Sequence, residues 1–193
     1  YKIANRGYTY GVKIHPGASL TMTNVTYDCQ NMSQVEDVFL LMARTVSGSI
    51  TNYSRMVLNN GATIKNATLS SSTRNENAVI HVKEGAALWI NEGAAILNCT
   101  NNSNPGKGGA ICCDYGTVIM TGGTIAGCTA KGAGGAIHTD GTRVENADNY
   151  GISSRGDIYI SGGYITNNYC AAGYYGGGIY LGNSGPVLLI TGT

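Results

Sequence analysis

The chain has 193 residues, with 12 Lys and Arg against 11 Asp and Glu; that balance leaves no cationic surplus to displace counterions from phosphates and argues against a nucleic-acid-binding face. Only 12% of residues are charged, yet no apolar run approaches the ~18 to 20 residues of a membrane-spanning helix, so no membrane insertion by this segment is expected. With 29 Gly, 13 Tyr and one Phe, the composition favours turns and strands and argues against a helical bundle. The length suits a single domain over 1–193, read as a piece of a longer protein with neighbouring domains at both ends.

Taken along the chain, the predicted elements repeat. First strands fall at 11–14, 38–40, 79–82, 110–113, 136–139 and 178–181. Second strands follow, with Leu20, Met56, Leu88, Val118, Ile158 and Leu188 in equivalent places, and each turn after them carries Gly, or Asn24 in the first repeat. Beyond that turn another apolar residue begins a third strand, Val25, Ile64, Ile96, Ile125 and Ile165, before a Gly-rich return. Ile80, Ile111, Ile137 and Ile179 are spaced by 31, 26 and 42 residues, and Val12 to Val38 gives another 26. Strands this short cannot bury an apolar face alone, but successive units can stack with each strand pairing in parallel to its counterpart. The expected fold is all-β, a right-handed, three-sided parallel β-helix, or single-stranded solenoid, of about six coils. A sandwich of hairpins would need two-residue turns between antiparallel partners, a poorer match to residues of one kind recurring at the coil period.

Strand alternation then sorts inside from outside. If Leu88 and Ile90 point inward, the outward row is Thr21, Val57, Trp89, Ile119, Tyr159 and Leu189. A mostly apolar outer row is either covered by a loop or neighbouring domain, or is a contact face. From first to second strand the chain takes 7 to 9 residues in most units, but 16 from Leu40 to Met56 and 21 from Ile137 to Ile158. Both excursions leave the same corner and, at ~4.8 Å per coil, would stand ~14 Å apart. They would frame a cleft with Trp89, Ile119, Lys83, Glu84, Asp114 and Tyr115 on or beside its floor. The expected ligand-binding residues are Trp89, Tyr115, Tyr159 and Ile119, with Arg143 and Arg155 from the second excursion. Loops packed on the apolar stripe are the other reading.

Asp114 and Asp140 align on adjacent coils, with Lys83 in the same place one coil earlier. Two close carboxyl groups are what polysaccharide cleavage uses, but no dense Asp cluster or Arg-x-Lys partner accompanies them. A surface Lys83–Asp114 ion pair with Asp140 solvated is expected. His81, Cys112 and His138 share another outward column with Tyr180; the two histidines would stand ~9 to 10 Å apart at the backbone, so a polar surface ladder is expected, with no metal and no cofactor. Of six cysteines, Cys99 and Cys128 each follow a third-strand isoleucine by three residues and are expected to stack as free thiols, while Cys112 and Cys113 cannot both face inward.

Gly108-Gly109-Ala110-Ile111 and Gly134-Gly135-Ala136-Ile137 resemble the GGA(I/L/V) element of the polymorphic outer-membrane-protein repeats and related β-helical bacterial surface proteins. The companion FxxN element is matched loosely by Ile165-Thr166-Asn167-Asn168, and the resemblance covers roughly 78–193. It implies an extracellular, cell-surface or cell-wall adhesin-like module, non-catalytic, that binds a glycan or host surface protein or acts as a rigid spacer. The alternative is a carbohydrate-active enzyme of the pectate-lyase-like β-helix class acting on an acidic polysaccharide, with Asp114, Asp140 and Lys83 as its catalytic residues.

Overall fold

The recurring isoleucines meet one another. In the computed structural model, which describes residues 11–30, 33–34, 36–46, 49–71, 77–140, 156–183 and 185–192, Ile80 pairs with Ile111, Ile111 with Ile137 and Ile137 with Ile179. These residues belong to a six-stranded parallel sheet ordered along the chain: Val12–Ile14, Phe39–Leu41, Ile80–Val82, Ile111–Asp114, Ile137–Asp140 and Ile179–Leu181. One expected register is corrected: Val12 pairs with Phe39 rather than Val38. Phe39 takes the inward place and sets its ring edge-on to Tyr27, with centroids 4.9 Å apart. The described residues form an all-β structure.

The second sheet is built from Ser19–Met22, Arg55–Leu58, Ala87–Ile90, Thr117–Ala126, Asp157–Thr166 and Leu188–Ile190, joined by Thr26–Asp28, Thr63–Lys65 and Ala95–Leu97. The expected second and third strands are thus two limbs of one bent sheet. The bend needs a left-handed residue, and Gly61, Gly93, Gly123 and Gly163 supply it at φ +72°, +74°, +78° and +96°. Asn24 takes that place in the first repeat at φ +51°, as its alignment with the glycines implies. Beside the bend runs a polar ladder: Thr121 Oγ1 donates to Asn91 Oδ1 (2.9 Å), Asn91 Nδ2 to Asn59 Oδ1 (2.8 Å) and Asn59 Nδ2 to Thr23 Oγ1 (3.3 Å). Counting from the bend also corrects Val25: the residue in register with Ile64, Ile96, Ile125 and Ile165 is Tyr27.

A third parallel sheet occupies the return. It consists of two-residue segments, Ser33–Gln34, Thr68–Leu69, Thr100–Asn101, Thr129–Ala130 and Tyr169–Cys170. Left-handed Asn66, Asn98, Gly127 and Asn167 lead into the last four of them. The GGA element then closes each later unit for two separate reasons. Gly108 and Gly134 hold φ +69° and +76°, whereas a Cβ on Gly109 or Gly135 would strike the backbone of Thr129 (2.8 Å) or Tyr169 (2.6 Å) in the adjacent repeat. That close approach lets Gly109 N–H donate to Gly134 O (3.0 Å) and Gly135 N–H to Gly176 O (2.8 Å).

Between the sheets lies a continuous apolar core including Met56, Leu58, Ile64, Leu88, Ile90, Ile96, Ile111, Val118 and Met120. Cys99 and Cys128 stack there as free thiols, and Cys113 faces the core while Cys112 on the same strand does not. The excursion from Leu40 to Met56 contains an antiparallel pair, Ala43–Val46 with Ser49–Tyr53. Most of the second excursion, with Arg143 and Arg155, lies outside the described residues.

Candidate functional site

The two larger sheets each present an outer row, and the rows differ. On the second sheet Val57, Trp89, Ile119, Tyr159 and Leu189 are in register on five neighbouring strands. Val57, Trp89, Ile119 and Tyr159 are half-buried and Leu189 is 49% exposed, so the apolar row remains accessible. Arg55, missed in the sequence, belongs beside it: alternation puts residues 55 and 57 on one face. Its guanidinium lies 4.9 Å from the Tyr53 ring centroid and 5.8 Å from that of Trp89, and Nη2 donates to Tyr53 Oη (2.6 Å). Tyr159 Oη donates to Asp157 Oδ2 (3.2 Å), and Asp157 Oδ1 accepts the Val187 N–H (2.9 Å).

The structure brings Trp89, Ile119 and Tyr159 together but sets Tyr115 apart, at the corner between the first and second sheets. Tyr115 is 37% exposed and holds φ +63°, a region that bulky side chains rarely adopt. Its N–H donates to Asp140 O (3.0 Å) and its carbonyl accepts from Gly85 (3.1 Å), so the neighbouring repeats on both sides hold the strained turn. Beyond the opposite ends of the strands, an open groove of about 400 Å³ is lined by Glu92, Thr121, Thr124, Tyr164 and glycine backbone.

On the first sheet His81, Cys112, His138 and Tyr180 are in register on four neighbouring strands, as the sequence places them. The expectation of a surface ladder is corrected, because His81 is 2% exposed, Cys112 0% and His138 4%. His81 lies between two buried carboxylates, with Nδ1 3.2 Å from Asp37 Oδ2 and Nε2 2.9 Å from Asp114 Oδ2. Asp37 Oδ1 also accepts the Ala78 N–H (2.7 Å), and Cys112 Sγ donates to Asp114 Oδ1 (3.4 Å). The expected surface ion pair between Lys83 and Asp114 is therefore replaced by a buried one between Asp114 and His81. Nor is Asp140 simply solvated: Lys107 Nζ sits 2.7 Å from its Oδ2.

Burial alone would favour a neutral His81, but the charges of Asp37 and Asp114 and the hydrogen bonds to both outweigh it and raise its pKa to about 9. Burial pushes Asp114 up, yet the His81 hydrogen bond and charge, with Lys107, bring it below the usual carboxylate range. His138 is held neutral by burial against the opposing charge of Asp140. Its ring packs against Tyr180 with centroids 5.1 Å apart, its Nε2 stands 3.9 Å from Asp140 Oδ2, and its buried Nδ1 has no hydrogen-bond partner. Cys112 is pushed up by burial and by Asp114, which keeps it a thiol. With Asp114 committed to His81 and Cys112, the pair Asp114 and Asp140 does not present two free carboxyl groups to solvent.

Two members of this cluster escaped the sequence reading, and both left a signal. Extending the register by two residues puts Asp37 level with Ala78, so a carboxylate stands where the next repeat has a methyl group. Lys107 interrupts the glycines of the return, Gly106 and Gly108, whereas the next repeat has Ala133 there. Compared with protein-family models, with curated proteins and with solved structures, the chain matches none of them, and its functional reading rests on its own residues.

Proposed function

We propose that the chain is a right-handed, three-sided parallel β-helix of about six coils that serves as a non-catalytic, adhesin-like binding module at a cell surface or in a cell wall. The parallel pairing of like residues in three sheets supports the architecture, and the GGA elements support the surface setting. The observation that carries the binding reading is the accessible apolar row Val57, Trp89, Ile119, Tyr159 and Leu189, with the Arg55 guanidinium beside Trp89. A solvated rod has no use for such a row on its outer face, and a saturated sugar ring stacks its C–H face on indole and phenol while its hydroxyls reach flanking charges such as Arg55. A glycan is therefore the ligand class we assign.

Trp89→Ala tests this on a glycan array. The unchanged chain should give a signal for at least one glycan class, reduced about tenfold or more in the variant, as expected when an aromatic anchor of ~1.4 kcal/mol or more is removed. Silence of the unchanged chain across the array, or a signal untouched by the substitution, would overturn it. Unsaturated product released from a polyuronate and abolished by Asp114→Asn would overturn the non-catalytic part.

A further inference from the structure

The buried row on the first sheet carries chemistry that the binding reading leaves unused. His81, Cys112 and Asp114 each offer one ligand atom, and these atoms lie within 4.8 Å of one another. Asp114, His138 and Asp140 form a second such trio sharing Asp114. The backbone explains the convergence. Strand register stacks His81, Cys112 and His138, and alternation puts Asp114 on the same face as Cys112, two residues along its strand. Neighbouring strands stand ~4.8 Å apart, so Cys112 has one imidazole on each side and a carboxylate ahead of it. Against the ~9 to 10 Å between the histidine backbones, His81 already leans to within 4.8 Å of the thiol, and His138, grouped with Asp114, would turn toward it.

The second trio has its cation already, because Lys107 Nζ holds Asp140 Oδ2 at 2.7 Å. At the first trio the cation is the His81 imidazolium, whose Nε2 stands 2.9 Å from Asp114 Oδ2. Asp37 accepts from His81 Nδ1 at 3.2 Å, the outer carboxylate that fixes a metal-binding imidazole with Nε2 presented for coordination. His138 supplies an independent observation. It is 4% exposed, its Nδ1 has no hydrogen-bond partner, and one ring nitrogen lies within 4.8 Å of an Asp114 oxygen. A buried ring nitrogen without a hydrogen bond is costly unless something else engages it.

We propose that His81, Cys112 and Asp114 bind one zinc-class divalent ion, with His138 closing a four-ligand shell and Asp37 positioning His81. The donor set of two imidazoles, a thiolate and a carboxylate suits a borderline-soft tetrahedral ion and does not suit calcium or magnesium, which take oxygen. On binding, Cys112 gives up its S–H proton and His81 its Nε2 proton, both to solvent, while the Nδ1 proton stays on His81 and is donated to Asp37. Two protons leave as one divalent ion enters, so the buried cluster keeps its net charge. The shell is closed to substrate, and its role is to tie together the strands that carry His81, Cys112 and His138.

Cobalt titration of the chelator-stripped full chain tests the site. One Co²⁺ per chain should bind with a near-ultraviolet thiolate charge-transfer band and the intense visible bands of four-coordinate cobalt; Zn²⁺ should displace it and raise the melting temperature. Cys112→Ser should lose the charge-transfer band, Cys170→Ser should keep it, and Asp37→Asn should keep its shape while weakening affinity about 10- to 100-fold. No charge-transfer band at saturating cobalt, or a band unchanged by Cys112→Ser, would overturn the proposal. Should Cys112→Ser lose its strand signal in circular dichroism, X-ray absorption at the zinc edge of the unchanged chain decides: one sulfur in a nitrogen and oxygen shell supports the site, and no sulfur overturns it.

Discussion

The outer rows of the two larger sheets invert the usual rule of which side chains face water. His81, Cys112 and His138, of the polar and titratable kinds, are almost wholly buried, whereas Trp89, Ile119 and Tyr159 stay half-open. Both rows come from the same alternation and the same stacking, so periodicity explains neither burial. The difference lies in what each row meets: the first is closed around by Asp37, Lys107 and Asp140, while the second has the flat guanidinium of Arg55 beside it. Alternation decides which side chains leave the core, and only the groups lying over the sheet decide whether they reach solvent.

Breaking the buried row should have the largest effect. Asp37→Ala leaves His81 Nδ1 and the Ala78 N–H without their acceptor in a dry place, and should cost about 3–5 kcal/mol in urea unfolding. An equal loss in Trp89→Ala would erase the contrast between the rows. Next comes pH, in the metal-free chain. The folded pKa of His81 is raised from 6.5 to about 9, so its contribution is full below about 6.5 and lost as pH rises through about 9. For Asp114, lowered from 3.8, the contribution is present above that value and lost as pH falls through its folded pKa. Unfolding free energy should therefore drop by on the order of 3 kcal/mol from about pH 6 to about pH 10. A flat profile would mean that the buried row holds no imidazolium. The smallest effect lies at the corner between the rows, where Tyr115→Gly should gain ~1 kcal/mol by relieving the left-handed backbone. A loss there would show that the exposed ring contributes more than its strained backbone costs.

Much of the architecture was legible because it repeats. Ile80, Ile111, Ile137 and Ile179 name one strand position, the row through Trp89 follows by parity, and Asn24 declares itself by standing where later repeats have Gly. Failures came where the period has too little to act on. Segments such as Thr68–Leu69 are two residues long and carry no alternation, so the third sheet read as a return loop. Tyr27 hid its inward place because an aliphatic residue, Val25, stood closer to the bend. The candidate sites split the same way. In-register neighbours were visible, but Asp37 reaches His81 across 44 residues and Lys107 reaches Asp140 across 33, and the signals both left, a carboxylate in place of a methyl group and a lysine among glycines, name no partner.

The link from Asp37 through His81 to Asp114 spans three successive repeats. Like the ladder through Asn91 and Asn59 it is made of bonds between neighbouring units, but here both bonds meet on one buried ring, whereas the corners at Gly61, Gly93 and Gly123 are built alike. A stack of interchangeable parallel repeats tolerates excision of one unit cut from corner to corner, since the flanking units then meet through matching surfaces. Excision of the unit between Gly93 and Gly123 is different, because it removes Asp114, Cys112 and Lys107 and sets His81 beside His138, with Asp140 in the register place of the lost carboxylate. The three repeats that carry Asp37, His81 and Asp114 are therefore the part of the stack that copying and loss of units must leave whole.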